Sequence, residues 1–412
     1  MPAPSPLPPL ANSRPLLSGA IWWLFATVGA LYPMFPLYLG SIGIESSEVA
    51  LLFAVQAITA LVCGQLVGYI ADVYMGKKAV LLWSTLLCVP IQAIFPLVPG
   101  ELGWLALATC LHSIGYSQRV SILNSLIFES RNGEIMFGRI RLVGSLGFAA
   151  TAVGVGYLAG NPTFGHAVMW PALVLIDLLF VCFVVCMKDH PVEARRAVAR
   201  NLPSFRAAQQ LLLGNPILIR FFIFVFLFQV VSQPLHFMQV RFLGELGSGP
   251  GFATSSLAVA ALAEILVFYF SAQITARFSV IKLMALVPIG LALRYGLVFG
   301  IPNPWVILAC SALHMVGFGL AYLCCVIFIN RETPAELRAS GQTMFAIVFS
   351  FVSGLLGNLL AAAILRFLES RMGASPMEAL RILFGIGAMF ALLSLLAWLP
   401  MYRAYQRREA TR

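Results

Sequence analysis

The chain is poor in charge. Only 10% of its 412 residues are Asp, Glu, Lys or Arg, whereas 60% are hydrophobic and the mean hydropathy is +0.92. A water-soluble fold of this length needs a polar surface that so few charged residues do not supply. The shortage of charge therefore excludes a soluble globular protein and predicts a chain embedded in lipid.

Motifs for nucleotide and metal chemistry are also absent from the sequence. The chain has no P-loop, no glycine pattern of a dinucleotide-binding fold and no zinc-ligand spacing. Its eight cysteines all fall within apolar segments, which indicates small buried hydrophobic side chains rather than a redox or metal centre. We therefore expect no cofactor and no bound metal, and any active transport must draw on an ion gradient.

The apolar residues form long, continuous segments. Each is near the roughly 20 residues that a helix needs to cross the hydrocarbon core. Continuous rather than alternating hydrophobicity favours helices over a β-barrel. We predict twelve transmembrane helices, at residues 18–39, 48–71, 78–99, 102–128, 138–160, 167–187, 216–239, 251–275, 281–300, 303–329, 340–367 and 378–402.

A polar, arginine-rich stretch divides these helices into six and six. Residues 188–214 form this cytoplasmic central loop, between a six-helix bundle at 16–187 and a second at 215–402. Residues 1–15 are proline-rich and lack the features of a signal peptide, so we expect a disordered N-terminal segment there and a short tail at 403–412. The pattern Leu-His-x-x-Gly-aromatic occurs at 111–116 and at 313–318, which indicates two pseudo-symmetric bundles in an all-α membrane protein.

The basic residues are distributed unevenly between the two sides of the predicted membrane. With the N-terminus inside, most of the 26 Lys and Arg residues fall in inner loops and tails, and only Arg241, Arg366, Arg371 and Arg381 fall outside. This asymmetry predicts both termini in the cytoplasm of a multi-pass protein in the cell (inner or plasma) membrane. Basic loops that face anionic lipid headgroups account for the net charge of +10 without nucleic acid, and we expect a monomer.

Several stretches carry a resemblance to a known family. Residues 137–148, FGRIRLVGSLGF, open the fifth predicted helix, Ala263-Glu264-Ile265 lies in the eighth, and His314 precedes Gly317-Phe318-Gly319 in the tenth. Together they resemble the major facilitator superfamily, in its branch of nucleoside:proton symporters and lactose-permease-like members. The resemblance implies two parallel six-helix repeats, alternating access and a substrate site at the midplane between the halves.

The loop between the second and third predicted helices resembles the superfamily's loop motif but departs from it. The sequence runs from Gly68 through Asp72 and Gly76 to Lys77 and Lys78. One residue is inserted, and the Arg that usually follows the Asp is missing. We still expect Gly76 to permit the turn and Asp72 to pair with a basic group or a helix terminus.

Four charged residues lie near one depth in the membrane. Counted from the inner helix ends, Arg119, Asp177, Glu264 and Arg294 are about 15 to 20 Å deep. Charges at that depth need partners or a water-filled cavity. We predict Glu264 as the proton-coupling carboxylate and Arg294 as its switching partner; the alternative is a static Glu264–Arg294 pair that fixes helix packing. Asp177, on the sixth helix, is expected to be a structural partner.

The remaining candidates are substrate-binding residues. Gln229, Gln233 and His236 share one face of the seventh helix, where they either contact a neutral polar ligand or bond neighbouring helices. His112 and Arg119 share a face of the fourth helix, and Arg119 either clamps an anionic group or pairs with a carboxylate.

Two further candidates are Arg141 and His314. By resemblance Arg141 binds substrate; otherwise it snorkels towards lipid phosphate or cages the cytoplasmic gate. His314 is either a gating or ligand group or a satisfied core residue.

These features favour a proton-coupled secondary transporter of a small polar solute, nucleoside-like or sugar-like. The expected partners are that solute, protons as the coupling ion, and membrane lipids. An exporter of drugs or lipids on the same fold is the alternative. A membrane enzyme or sensor is disfavoured, because neither His112 nor His314 has an adjacent carboxylate motif and no signalling domain is present.

Overall fold

The structure, a computed structural model, describes residues 8–131, 133–191, 214–333 and 338–410, apart from the side chains of residues 65, 72–73, 133–135 and 338–340. Its α-helices, numbered in chain order, are α1 (Arg14–Ser41), α2 (Ser46–Ile70), α3 (Lys77–Ile94), α4 (Leu102–Tyr116), α5 (Arg119–Glu129), α6 (Gly133–Ala159), α7 (Met169–Val185), α8 (Pro216–Glu245), α9 (Pro250–Tyr269), α10 (Ser271–Arg277), α11 (Val280–Leu283), α12 (Leu286–Gly300), α13 (Pro304–Cys310), α14 (Ala321–Glu332), α15 (Arg338–Ala346), α16 (Ser353–Met372) and α17 (Pro376–Ala410).

Eleven helical stretches within the described ranges are long and apolar enough to cross a membrane. The all-helical membrane fold expected from the sequence is confirmed. The fourth predicted span is not one helix, because α4 ends at Tyr116 and α5 begins at Arg119. The Nε of Arg119 donates to the carbonyl of Gly115 (3.2 Å), so the buried side chain occupies a carbonyl at the end of α4.

Among the described residues, three π-helical turns interrupt the regular helices. They lie at Ala71–Met75 after α2, at Met315–Leu320 before α14, and at Ile347–Val352 before α16. A π-turn shifts the hydrogen-bond register and can leave a carbonyl available to side chains, and such turns are frequent at functional sites. All three adjoin candidate residues: the first adjoins the loop motif around Gly76, the second follows His314, and the third carries the carbonyl that Gln229 and Gln233 contact.

The chain divides into two compact units. Unit 1 comprises Met1–Gly43, Ile58–Leu202 and Pro250–Thr254; unit 2 comprises Ile44–Ala57, Pro203–Gly249 and Ser255–Arg412. In unit 1, α1 packs along α6, and a Cβ on Gly147 would lie 2.5 Å from the carbonyl oxygen of Trp22. In unit 2, α8 packs along α16 and α17, and a Cβ on Gly357 would lie 2.1 Å from the carbonyl oxygen of Val230. Glycines thus allow the close helix approaches that membrane bundles use.

Residues 8–13 of the N-terminal segment are held by hydrogen bonds, whereas residues 1–7 lie outside the described part of the chain. Leu10 exchanges backbone hydrogen bonds with Glu129 (2.8 Å) and Arg131 (2.9 Å). Asn12 bonds Ser130 and both backbone groups of Lys188 at 2.8 to 3.2 Å. Residues 8–13 are therefore bound to unit 1, because their partners lie more than a hundred residues away in sequence. At the other end of the chain, α17 continues to Ala410 through most of the predicted tail.

The close approach of α6 to α1 gives a test of the fold. We expect Gly147→Ala to lower the free energy of unfolding by about 1 to 3 kcal/mol, because the added methyl group has no space against α1. The matched control is Gly154→Ala in the same helix, where an added Cβ meets nothing within 4 Å. Thermal unfolding in detergent measures the difference, and equal midpoints for the two variants would contradict the packing described here.

Candidate functional site

Unit 2 holds a buried polar cluster around His314. The Nε2 of His314 lies 3.1 Å from Oε1 of Glu264, on α9. Nη1 of Arg294, on α12, lies 2.8 Å from Nδ1 of the same imidazole. Glu264, Arg294 and His314 are 7%, 0% and 5% exposed. The structure therefore brings together three residues that the sequence placed on three different helices.

The protonation of His314 follows from its neighbours. A guanidinium has only donors, so Nδ1 of His314 must accept the hydrogen bond from Arg294 and carries no proton. The single proton of the imidazole is then on Nε2, which donates to Glu264. His314 is a neutral bridge: Arg294, the predicted switching partner of Glu264, reaches it through this ring, in place of the direct static pair given as the alternative. Sequence spacing gives depth along a helix but not which ring lies between two charges.

A stack of parallel rings extends from this cluster. His236, on α8, lies over His314 with ring centroids 4.0 Å apart and planes inclined by 9°. His314 is followed by Phe318 at 5.3 Å and 10°, and Phe318 by Tyr322 at 6.0 Å and 13°. The π-turn Met315–Leu320 carries Phe318. The Nδ1 of His236 is buried and has no hydrogen-bond partner among the described residues.

The two glutamines of α8 converge on one carbonyl. The amide nitrogens of Gln229 and Gln233 both lie 3.2 Å from the oxygen of Phe349. Phe349 belongs to the π-turn Ile347–Val352, where the altered register makes a carbonyl accessible to side chains. Because both donors are directed at Phe349, the orientation of both amides is fixed.

Unit 1 contains a second buried cluster, with a different arrangement. Nη1 of Arg119 donates to both carboxylate oxygens of Asp177 at 2.9 Å, and both residues are 0% exposed. Thr27 and Gln92 also donate to Asp177, at 2.7 and 2.9 Å. The pairing alternative for Arg119 is therefore the arrangement present in this structure. The second hydrogen of the Gln92 amide is directed at Nε2 of His112, 3.2 Å away.

The two clusters share a repeated core. His112 contacts Gln92 and stacks on Tyr116 (5.4 Å, 22°), and His314 contacts Arg294 and stacks on Phe318 (5.3 Å, 10°). Each residue of the second set stands 202 positions after its counterpart. The sequence repeat at 111–116 and 313–318 is thus accompanied by equivalent side-chain contacts, although the carboxylates Asp177 and Glu264 are not equivalent positions.

The other predicted residues lie apart from these clusters. Arg141, on α6, donates to Ser145 (3.2 Å), and its guanidinium carbon lies 3.9 Å from the ring centroid of Phe25. These contacts hold Arg141 against α1 within unit 1.

The loop motif forms a local network of its own. Lys77 bonds Ser125 and Glu129, whereas Lys78 bonds Asp189 (2.8 Å) and the carbonyl of Val185 (2.6 Å). Gly76 has a φ of 85°, as the expected turn requires, and Gly68 lies in α2. The side chain of Asp72 falls outside the described residues.

Sequence reasoning missed Gln92, Gln239 and Ser311. Gln239 accepts from Nη2 of Arg294 (2.9 Å) and donates to Ser311 (2.7 Å). A signal was present, since Gln92 and Gln239 are amides inside apolar segments, where polar side chains need partners. Their partners depend on helix packing and could not be named from spacing.

Comparison with known proteins identifies the family. A family model described as the MFS_1 like family matches residues 16–371. The chain belongs to this family. The resemblance to the major facilitator superfamily is thereby confirmed, and so is the prediction of a secondary transporter of a small polar solute, in place of an enzyme.

The individual relatives share a quarter or less of their sequence with this chain. YegT of Escherichia coli (strain K12) is 25% identical, over 84% of this chain and 82% of its own. The maltose permease of Geobacillus stearothermophilus is 23% identical, over 79% and 81%. A crystal structure of a mutant of the nucleoside transporter NupG has a TM-score of 0.82 and 17% identity, and the match covers 95% of this chain and all of that one. The transporter fold therefore extends over nearly the whole chain.

The Arg119–Asp177 pair gives a second prediction. We expect Asp177→Leu to destabilise the protein by about 3 to 5 kcal/mol, because it leaves Arg119 buried without its counter-charge. The double variant Arg119→Leu/Asp177→Leu should be more stable than Asp177→Leu alone, since no unpaired charge remains. Thermal unfolding of the purified variants tests this, and a double variant less stable than the single one would contradict it.

Proposed function

We propose that this protein is a proton-coupled nucleoside transporter that works by alternating access. The observation that carries the proposal is the buried Glu264–His314–Arg294 arrangement, in which a carboxylate accepts a hydrogen bond from a neutral imidazole. Glu264 is the proposed proton acceptor, and Arg294 acts on it through His314. NupG, whose fold this chain shares, is a nucleoside transporter.

The two buried carboxylates differ in what a proton would disrupt. Nη1 of Arg119 contacts both oxygens of Asp177, so a proton on Asp177 would remove the counter-charge and leave the guanidinium buried without one. A proton on Glu264 leaves the Nε2–H of His314 with a carbonyl oxygen to donate to. We therefore assign proton coupling to Glu264 and a structural role to Asp177.

The proposed substrate site follows from the groups near this cluster. The rings of His236, His314 and Phe318 stack on one another and continue to Tyr322, which is 42% exposed. The proposed planar base extends this stack at the Tyr322 end. The amides of Gln229 and Gln233 offer hydrogen-bonding groups suited to ribose hydroxyls or ring nitrogens. His112, Arg119 and Arg141 belong to unit 1. Asp177 and Gln92 already engage Arg119 and His112, so Arg141 is the candidate that we keep in unit 1, separately from the site proposed in unit 2.

We further propose that the protein lies in the cell membrane with both termini in the cytoplasm, as a monomer. The support is the excess of Lys and Arg on one side of the predicted topology. A reporter fused at the C-terminus that is active only in the cytoplasm tests the orientation; an active periplasmic or extracellular reporter would contradict it.

Proteoliposomes test proton coupling. We expect an inward proton gradient to drive accumulation of a radiolabelled nucleoside. Because each substrate molecule enters with a proton, uptake should also raise the pH of the external medium. Glu264→Gln should abolish both effects yet retain exchange of labelled for unlabelled nucleoside, because an amide cannot carry the proton but preserves the volume of the side chain. The matched control is Glu245→Gln at the end of α8, which removes a half-buried pair with Arg241 away from the cluster and should leave accumulation unchanged.

The same vesicles separate the substrate classes. Accumulation of maltose or another sugar in place of nucleosides would move the assignment towards the relative from Geobacillus stearothermophilus. Accumulation that persists in Glu264→Gln would refute Glu264 as the proton acceptor.

The glutamine pair gives a further prediction. Gln233→Leu removes an amide that points at Phe349 and should raise the KM for nucleosides roughly tenfold, since a lost hydrogen bond in a desolvated site costs about 1 to 3 kcal/mol. Gln342→Leu is the control, because Gln342 bonds Asn330 and Val326 outside the cluster. Initial uptake rates at several concentrations measure KM, and equal values for both variants would exclude Gln233 from the substrate site.

A further inference from the structure

We infer that Gln239 and Ser311 are positioning residues for proton coupling: they hold Arg294 so that His314 presents its Nε2–H to Glu264. This inference rests on the proposed coupling role of Glu264. Neither residue touches Glu264, and both would act through the guanidinium of Arg294.

The contacts form one continuous series of hydrogen bonds, which joins α8, α9, α12 and the segment that follows α13. The hydroxyl of Ser311 donates to the carbonyl of Ile307 (2.7 Å), and the amide nitrogen of Gln239 donates to the Ser311 oxygen (2.7 Å). The amide oxygen of Gln239 accepts from Nη2 of Arg294 (2.9 Å). Arg294 then donates to His314, and His314 to Glu264.

Every bond in this chain has a fixed direction. The backbone carbonyl of Ile307 can only accept, so the Ser311 hydroxyl donates to it and accepts from Gln239. The amide oxygen of Gln239 must then point at Arg294, which can only donate. Arg294 donates on both sides, so Gln239 fixes the position of the guanidinium, and the guanidinium in turn leaves the proton of His314 on Nε2.

The guanidinium of Arg294 has few other contacts. Its Nε is buried and has no hydrogen-bond partner among the described residues, so Nη1 and Nη2 carry its hydrogen bonds. Gln239, Ser311 and Arg294 are each fully buried. Removal of the Gln239 amide leaves His314 as the remaining hydrogen-bonded partner, and the guanidinium can turn away from Nδ1.

The equivalent positions in unit 1 show that helix packing alone does not require this series of hydrogen bonds. The positions 202 residues earlier hold Leu37 for Gln239, Val62 for Glu264 and Thr109 for Ser311. The Thr109 hydroxyl is buried without a partner among the described residues. Unit 1 thus has the equivalent histidine and aromatic ring without counterparts of Gln239 and Glu264. Gln239 and Ser311 occur in unit 2, which carries the proposed proton acceptor.

The repeat also supplies the variants. Gln239→Leu introduces the residue of the equivalent position, and Ser311→Ala removes the hydroxyl. Ser311→Thr is the conservative variant, because the equivalent position is Thr109. Thr109→Ala is the matched control in unit 1. All four are compared with the wild-type protein in proteoliposomes for proton-driven accumulation and for gradient-free exchange of a labelled nucleoside.

We expect a split between the two transport modes. Gln239→Leu should lower proton-driven accumulation roughly tenfold, as loss of a buried hydrogen-bond partner implies, and leave exchange within about twofold of wild type. Ser311→Ala should change accumulation in the same direction, Ser311→Thr should restore it, and Thr109→Ala should behave as wild type. Wild-type accumulation by Gln239→Leu, or a parallel loss of accumulation and exchange, would overturn the inference.

A spectroscopic measurement separates this inference from the proposed function. The chain has five histidines, so solid-state nitrogen NMR of histidine-labelled protein, assigned with His314→Gln, reports the protons on each ring nitrogen of His314. We expect Nε2–H alone in the wild type and loss of that single form in Gln239→Leu. An unchanged form in Gln239→Leu overturns the positioning role even if coupling is confirmed. Failure of the wild type to accumulate nucleosides, with the expected tautomer change, overturns the proposed function and leaves the positioning of His314 intact.

Discussion

The structure depends on how two arginines are satisfied inside apolar helices. A guanidinium away from water must direct its donors at acceptors, and Arg119 and Arg294 are both fully buried. In unit 1 the acceptors are the carbonyls of Gly115 and Ser84 and the Asp177 carboxylate. Thr27 and Gln92 also donate to that carboxylate. In unit 2 the acceptors are Gln239 and His314, and the carboxylate of Glu264 lies beyond the imidazole. The same physical demand is met once by an ion pair and once by neutral groups.

This difference accounts for the division of roles that we propose. A direct ion pair with four donated hydrogen bonds resists protonation, and it holds α1, α3, α5 and α7 together. A carboxylate joined to its arginine through a neutral ring can change its protonation state while the ring contact survives. The π-turns at Met315–Leu320 and Ile347–Val352 lie beside His314 and beside Gln229 and Gln233, so helix irregularities occur where we place proton and substrate.

Much of the fold could be predicted from the sequence, because lipid imposes continuous apolar runs of a known length. The common depth of Glu264 and Arg294 also followed from counting along helices. The intervening His314 did not, since it depends on how α12 and the segment before α14 face each other. The break before Arg119 and the bound residues Leu10 and Asn12 could not be predicted either, because each arises from partners supplied by tertiary packing.

We propose that Glu264 gains and loses the coupling proton during transport. Infrared difference spectroscopy of the purified protein in lipid, recorded as nucleoside is added, detects the carbonyl stretch of a protonated carboxyl group directly. If Glu264 carries the proton, a carboxyl band changes on substrate addition and disappears from the difference spectrum of Glu264→Gln, while Glu245→Gln retains it. A band that persists unchanged in Glu264→Gln would place the proton on another group and refute this role of Glu264.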